Sequence, residues 1–215
     1  MSVVVAVRDQ GEVWMAADSL ASNDSIKLVT KTAKIRRIGE VLVGSAGSFA
    51  GLNALWSAAP TEKPQASLYA WAVDHFVPWI REWFRARELR ENDNGAMNAP
   101  CRYLLACGNQ FVEMDYDFGV VEPAEDWHAI GSGSTAAKGA LMATGPYELE
   151  SARRPEERVL LAVAAACSID PFCGGPIQTE RTRGAAVVYM ERDVVFTDAV
   201  GNPVDKHGNL LRADR

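Results

Sequence analysis

The first apolar runs of the chain are short, rich in β-branched residues and separated by turn formers. SVVVAVRD and EVWMAADS flank QG, which predicts two strands closed by a tight hairpin. KIRRIG and VLVGSAG repeat the pattern with Gly39 and Glu40 at the turn, so four strands are expected early in the chain. From Ser48 to about Ala58 the period lengthens, and FAGLNALWSA reads as a short helix. After APTEKP, the stretch ASLYAWAVDHFVPWIREWFRARELRE carries apolar residues at helical spacing, with Pro78 placed to kink or split it. Trp71, Trp79 and Trp83 fall on one side of that helix and are assigned to its packing face rather than to a ligand-binding stripe.

NDNGAMNAP breaks the pattern. CRYLLACG, QFVEMDYD and WHAIGSG then predict three further strands, with Gly108 and Asn109 at a hairpin turn. STAAKGALMAT and PEERVLLAVAAACSI predict two helices, the second with Pro155 in its first turn. GAAVVYME and DVVFTD predict a last hairpin around Arg192 and Asp193, and the polar, Gly- and Pro-containing end reads as a surface tail. The expected organisation is one domain over residues 1–198 with a tail over 199–215. Runs of strands alternate with runs of helices and are joined by hairpins, which indicates an α+β architecture of antiparallel sheets covered by helices.

Composition narrows the function classes. With 48% hydrophobic and 23% charged residues the chain can build a real core, and a formal charge of −6 argues against nucleic acid or an anionic membrane as partner. The apolar run after Met1 spans only five residues, so neither a signal peptide nor a membrane span is expected. Cys101, Cys107, Cys167 and Cys173 form no CxxC pair, which suits reduced thiols and a cytoplasmic location. His75, His128 and His207 stand in unrelated contexts, so no histidine metal site, Ser-His-Asp triad or cofactor is expected.

Chemistry is suggested by three residues together. Asp18 closes the second strand and Lys34 opens the third, and in a hairpin-built sheet both can converge on the start of the first strand, where Ser2 lies. Taken singly, Asp18 reads as a turn residue, Lys34 as a solvated charge and Ser2 as an accident of the start. Removal of Met1, which a small second residue favours, would give Ser2 a hydroxyl nucleophile and a free α-amine. That amine has an ordinary pKa of about 7.7–8.0 and can serve as the general base. Lys34 would lower the proton affinity of the pair, Asp18 would orient Lys34, and the Gly47 amide in SAGSFAG would serve as an oxyanion donor. The GSGS turn at 131–134 lacks the full G-x-G-x-x-G pattern and reads as ordinary helix capping in preference to a phosphate loop, and the glycines of DPFCGGP read as a helix C-cap and loop.

With these residues in place, the sequence resembles the proteasome β-type subunits and the bacterial HslV peptidase, which are N-terminal nucleophile hydrolases. SVVVAVRDQGEVWMAADS, AKIRRI and VLVGSAGS carry the likeness, and the spacings from Ser2 to Asp18 and Lys34 are those of the family's nucleophile, aspartate and lysine. AIGSGS is similar to the family's glycine-serine turn, making Ser132 its serine, and IDPFCGGP resembles Asp-x-x-Ser-Gly-Gly, making Asp170 its acid. The likeness runs to about Asp198 and is thin between Ala58 and Ala99. It implies a four-layer αββα sandwich of two antiparallel sheets flanked by helices and a homo-oligomeric ring, hexameric or heptameric and stacked in pairs. It also implies hydrolysis of unfolded polypeptide, with an AAA+ unfoldase as a possible partner. Ala21, Thr32 and Ser45 are expected to line the substrate pocket beside Ser2.

Three departures stand out. Serine replaces the usual threonine nucleophile and loses the methyl group that restricts its rotamer. Cys173 stands where serine or threonine is common, and only Met1 precedes Ser2, so activation is expected to need methionine excision. Two alternatives stay open: an inert ring or scaffold subunit that keeps Met1, and a non-proteolytic amidase of the same superfamily.

Overall fold

A computed structural model describes residues 2–22, 27–57, 59–60, 62–89, 91–93, 96–145, 153–183, 188–190, 196–197 and 203–204. Strands β1 (Val3–Asp9) and β2 (Glu12–Ala17) meet at Gln10 and Gly11, whose φ values of 47° and 80° belong to the primed turns that match strand twist. A small hairpin of β3 (Leu20–Ser22) and β4 (Lys27–Val29) follows, then β5 (Ile35–Ile38) and β6 (Val41–Gly47). Ser48 caps α1 (Phe49–Leu55) by accepting from the Gly51 amide.

The long amphipathic stretch splits as its proline requires. Helix α2 (Leu68–Trp71) widens into a π-type turn over Ala72–Phe76 before α3 (Val77–Arg85), because Pro78 has no amide to bond the preceding turn. Trp71 is buried, and Trp79 and Trp83 pack half-buried on the same cluster, which bears out their assignment to packing. Next come β7 (Glu91–Asp93) and β8 (Ala96–Asn98), a short hairpin where the sequence suggested only a break. Strands β9 (Cys101–Cys107), β10 (Gln110–Met114), β11 (Val120–Val121) and β12 (Trp127–Gly131) precede α4 (Ser134–Ala143) and α5 (Pro155–Ile169). The chain then adds β13 (Ile177–Arg181), β14 (Val188–Met190), β15 (Phe196–Thr197) and β16 (Pro203–Val204).

Strand β13 has no counterpart in the sequence pattern, because IQTER looks polar. It nevertheless lies inside the first sheet, between β2 and β14, with Gln178, Thr179 and Glu180 buried. The expected last hairpin is rearranged: β14 pairs with β13, whereas β15 pairs with β16, which lies in the stretch expected to be a tail. Its proposed turn at Arg192 and Asp193 lies outside the described residues.

Among the described residues, two five-stranded antiparallel sheets, ordered β12-β1-β2-β13-β14 and β11-β10-β9-β6-β5, pack face to face. Helices α4 and α5 cover the first sheet, and α1 to α3 cover the second, giving the expected αββα layers. Strand β1 shows why its sequence is continuously apolar: Val3, Val5 and Val7 face α4 and α5, while Val4 and Ala6 face the other sheet. Each fully buried valine contributes up to about 1.5–3 kcal/mol. The start of β1 is therefore gripped from both sides.

Candidate active site

Asp18, just past the end of β2, has a side chain with no exposed surface. Its Oδ1 accepts from the Val3 amide at 3.0 Å and from Lys34 Nζ at 2.7 Å, and its Oδ2 accepts from the Leu20 amide at 3.2 Å and the Gly174 amide at 3.1 Å. Lys34 Nζ also donates to the Leu20 carbonyl at 2.8 Å. A buried ion pair is sustained only when its remaining hydrogen-bonding capacity is met, and four donors on one carboxylate meet it.

Ser2 is buried at the head of β1 and lines a narrow crevice with Lys34, Ser45, Gly47 and Ser48. The crevice, about 10 Å³, is the size of one water molecule. Glycine is required at two positions around Ser2. Gly47 has φ +141°, and a Cβ there would lie 2.6 Å from Cys101 Cα. Gly131 has φ +96°, and a Cβ would lie 2.1 Å from the Ser2 carbonyl oxygen, so the end of β12 is pressed onto the Ser2 backbone.

From the same turn, Ser132 Oγ and the Gly133 amide both approach the Ser2 carbonyl at 3.4 Å. Asp170 ends α5, where it accepts from the Phe172 amide at 2.9 Å and from Cys173 Sγ at 3.4 Å. Burial pushes the Asp170 carboxyl up, but hydrogen bonds from Ser132, the Phe172 amide and Cys173 outweigh it and hold it below the usual carboxylate range.

Two thiols lie close to the site, and neither is poised to react. Burial pushes Cys101 up to about 12 despite hydrogen bonds with Tyr103 and Ser45. Burial, reinforced by the negative charges of Asp18 and Asp170, raises Cys173 further. Thiols held protonated are poor nucleophiles.

The structure thus brings Ser2, Asp18, Lys34, Ser45 and Gly47 together, with Ser132 and Asp170 on the β12 side of Ser2. The three expected pocket residues separate. Ser45 shares the Ser2 crevice. Thr32 lines a neighbouring cavity of about 480 Å³ whose wall also includes Asp18, Lys34 and Gln178. Ala21 sits half-buried on β3 opposite Leu28 and lines neither space.

Several groups that complete the site leave no mark in the sequence pattern. The Val3, Leu20 and Gly174 amides and the Leu20 carbonyl act through the backbone, which residue types do not announce. Gly174 alone carried a signal, as part of the segment matched to Asp-x-x-Ser-Gly-Gly, although the residues by themselves suggested only a cap and loop.

No family model matches the sequence. Among solved structures, the chain is similar to Thiobacillus denitrificans BPH in complex with epoxomicin, with 25% identity and a TM-score of 0.68 over 83% of this chain and 97% of that one. It is similar in fold to HslV from Trypanosoma brucei, with 22% identity and a TM-score of 0.59 over 83% and 98% of the two chains. Anbu from Yersinia bercovieri shares 15% identity at a TM-score of 0.66 over 89% and 87%. The chain therefore has the fold of the N-terminal nucleophile hydrolases, and its structural neighbours are HslV- and proteasome-like peptidases together with Anbu.

Proposed function

We propose that this protein is a self-compartmentalising, proteasome-like peptidase that hydrolyses peptide bonds with Ser2 as an N-terminal nucleophile after removal of Met1. The observation that carries this reading is the Asp18–Lys34 ion pair buried in the wall of the crevice that Ser2 and Gly47 also line. A lysine buried with its partner at the chain's own second residue has no evident packing purpose. It has a chemical one.

With Met1 attached, the Ser2 nitrogen is an amide and cannot take a proton. Once freed, the α-amine accepts the proton from Ser2 Oγ as the oxygen attacks the substrate carbonyl. The positive charge of Lys34 favours the developing alkoxide and keeps the neighbouring amine from holding its proton too tightly. The oxyanion of the tetrahedral intermediate is received by the Gly47 amide. The amine then passes its proton to the leaving nitrogen, the C–N bond breaks and an acyl ester remains on Ser2. Water, deprotonated by the same amine, hydrolyses the ester. Ser132 and Asp170 hold the polar surroundings of that amine.

The same reading assigns the protein to a homo-oligomeric ring, hexameric or heptameric and stacked in pairs, that admits unfolded polypeptide and is served by an AAA+ unfoldase. Exposed Met142, Leu161 and Ile169 on α4 and α5 support self-association. The free cysteines support a reducing, cytoplasmic setting.

The test combines intact mass with the peptide epoxyketone epoxomicin, the compound bound in the Thiobacillus denitrificans BPH structure. The expected result is a chain lacking Met1 that gains one inhibitor mass, with the adduct lost in Ser2→Ala. A chain that retains Met1 and gains no adduct would overturn the peptidase reading and leave an inert ring subunit. Hydrolysis of small acyl-amides with no cleavage of peptides would leave an amidase.

A further inference from the structure

We infer that Gln178 is a positioning residue for Lys34: its carboxamide clamps the strand that Lys34 begins to the strand layer that carries Asp18. The inference rests on the peptidase reading and extends it to a residue on β13, the strand that the sequence pattern conceals.

Backbone hydrogen bonds fix which way each residue near the start of β5 faces. The Lys34 carbonyl accepts from the Ser45 amide at 3.0 Å, on the side facing β6. In an antiparallel strand successive residues turn their polar groups to opposite sides, so those of Ile35 point off the edge of the second sheet, where β5 is the last strand. Left there in a buried position, both would be unsatisfied.

Gln178 meets both of them. Its Oε1 accepts from the Ile35 amide at 3.0 Å and its Nε2 donates to the Ile35 carbonyl at 2.8 Å, and the side chain is buried. A carboxamide is the side chain that can imitate a peptide unit in this way, offering one acceptor and one donor side by side. Gln178 is also paired with Ala17, the residue before Asp18. One residue therefore joins the strand that leads into Asp18 to the strand that follows Lys34, across the two sheets.

A second contact on the same edge separates positioning from mere cohesion. Arg37, two residues further along β5, donates to the Arg181 and Thr182 carbonyls. It ties the same sheets together but lies away from Lys34.

The experiment compares Gln178→Met, Gln178→Glu and Arg37→Ala in the full chain, using a fluorogenic peptide amide and counting active sites by epoxomicin adduct mass. For Gln178→Met, kcat per active site is expected to fall about 10–100-fold with little change in KM, as displacement of a catalytic group predicts. Its acid limb is expected to move to higher pH, because an amine that loses the nearby Lys34 charge binds its proton more tightly. Gln178→Glu keeps the acceptor for the Ile35 amide and is expected to lose less kcat, so it carries the test if the methionine variant does not fold. Arg37→Ala is expected to melt at a lower temperature with an unaltered pH profile. A wild-type kcat and pH profile in the Gln178 variants, or an equal pH shift in Arg37→Ala, overturns the inference. Persistent activity in Ser2→Ala overturns instead the peptidase reading on which it rests.

Discussion

The two ends of β1 each carry an ion pair of nearly the same length. At its start, Lys34 Nζ lies 2.7 Å from Asp18, with side-chain exposures of 3% and 0%. At its end, Arg8 Nε lies 2.8 Å from Asp126, with exposures of 26% and 69%. Distance does not tell them apart, but surroundings do. The outer pair is bathed by water and salt, and such pairs contribute about 0–1 kcal/mol. The inner pair has lost its hydration and depends on the Val3, Leu20 and Gly174 amides and the Leu20 carbonyl to replace it. A fold gains little stability from such a burial, so the presence of the inner pair points to chemistry.

The comparison is broken most directly at the inner end. Lys34→Ala is expected to reduce peptide hydrolysis by about 10²–10⁴-fold and to cost about 3–5 kcal/mol of stability, because Asp18 stays buried without its cation. Peptide turnover and denaturant unfolding of the same sample check both. Unimpaired turnover would leave the buried pair without a chemical purpose.

An intermediate effect is expected at Asp170, whose folded pKa is held below its ordinary value. A depressed carboxylate contributes stability that is present above the unfolded pKa and lost as pH falls through the folded one. Asp170→Asn should therefore show a smaller loss of melting temperature between neutral pH and strongly acid pH than the wild type. A melting series across that range reads the difference. The smallest effect belongs to the outer pair: Asp126→Asn should change stability by no more than about 1 kcal/mol and leave turnover intact. Equal losses from Asp126→Asn and Lys34→Ala would dissolve the contrast between the two ends.

Legibility in the sequence follows the same physical line. The hairpins at Gln10–Gly11, Gly39–Glu40 and Gly108–Asn109, the helices marked by apolar period and the convergence of Ser2, Asp18 and Lys34 all depend on side-chain identity, and the fold contains them. Strand β13 is illegible because Gln178, Thr179 and Glu180 are polar yet buried, and a polar run signals surface unless its partners are known. The β3–β4 hairpin is hidden for a related reason. It has three residues per strand and β4 is exposed, so no apolar period develops. Ala21 lies on this hairpin, paired with Leu28, so no pattern in the residues announces its position either. The donors around Asp18 act through backbone amides, of which only that of Gly174 falls in a segment the family resemblance singled out, and they are what allows the ion pair to be buried.

Burial of β1 between two layers also sets a timescale. The Val3 amide that holds Asp18 belongs to a strand enclosed on both faces, so its hydrogen exchanges with solvent only when the sandwich itself opens. The residue next to Ser2 cannot fray ahead of the rest. The geometry of the site thus has the lifetime of the native state, and heating should extinguish it together with the fold rather than before it.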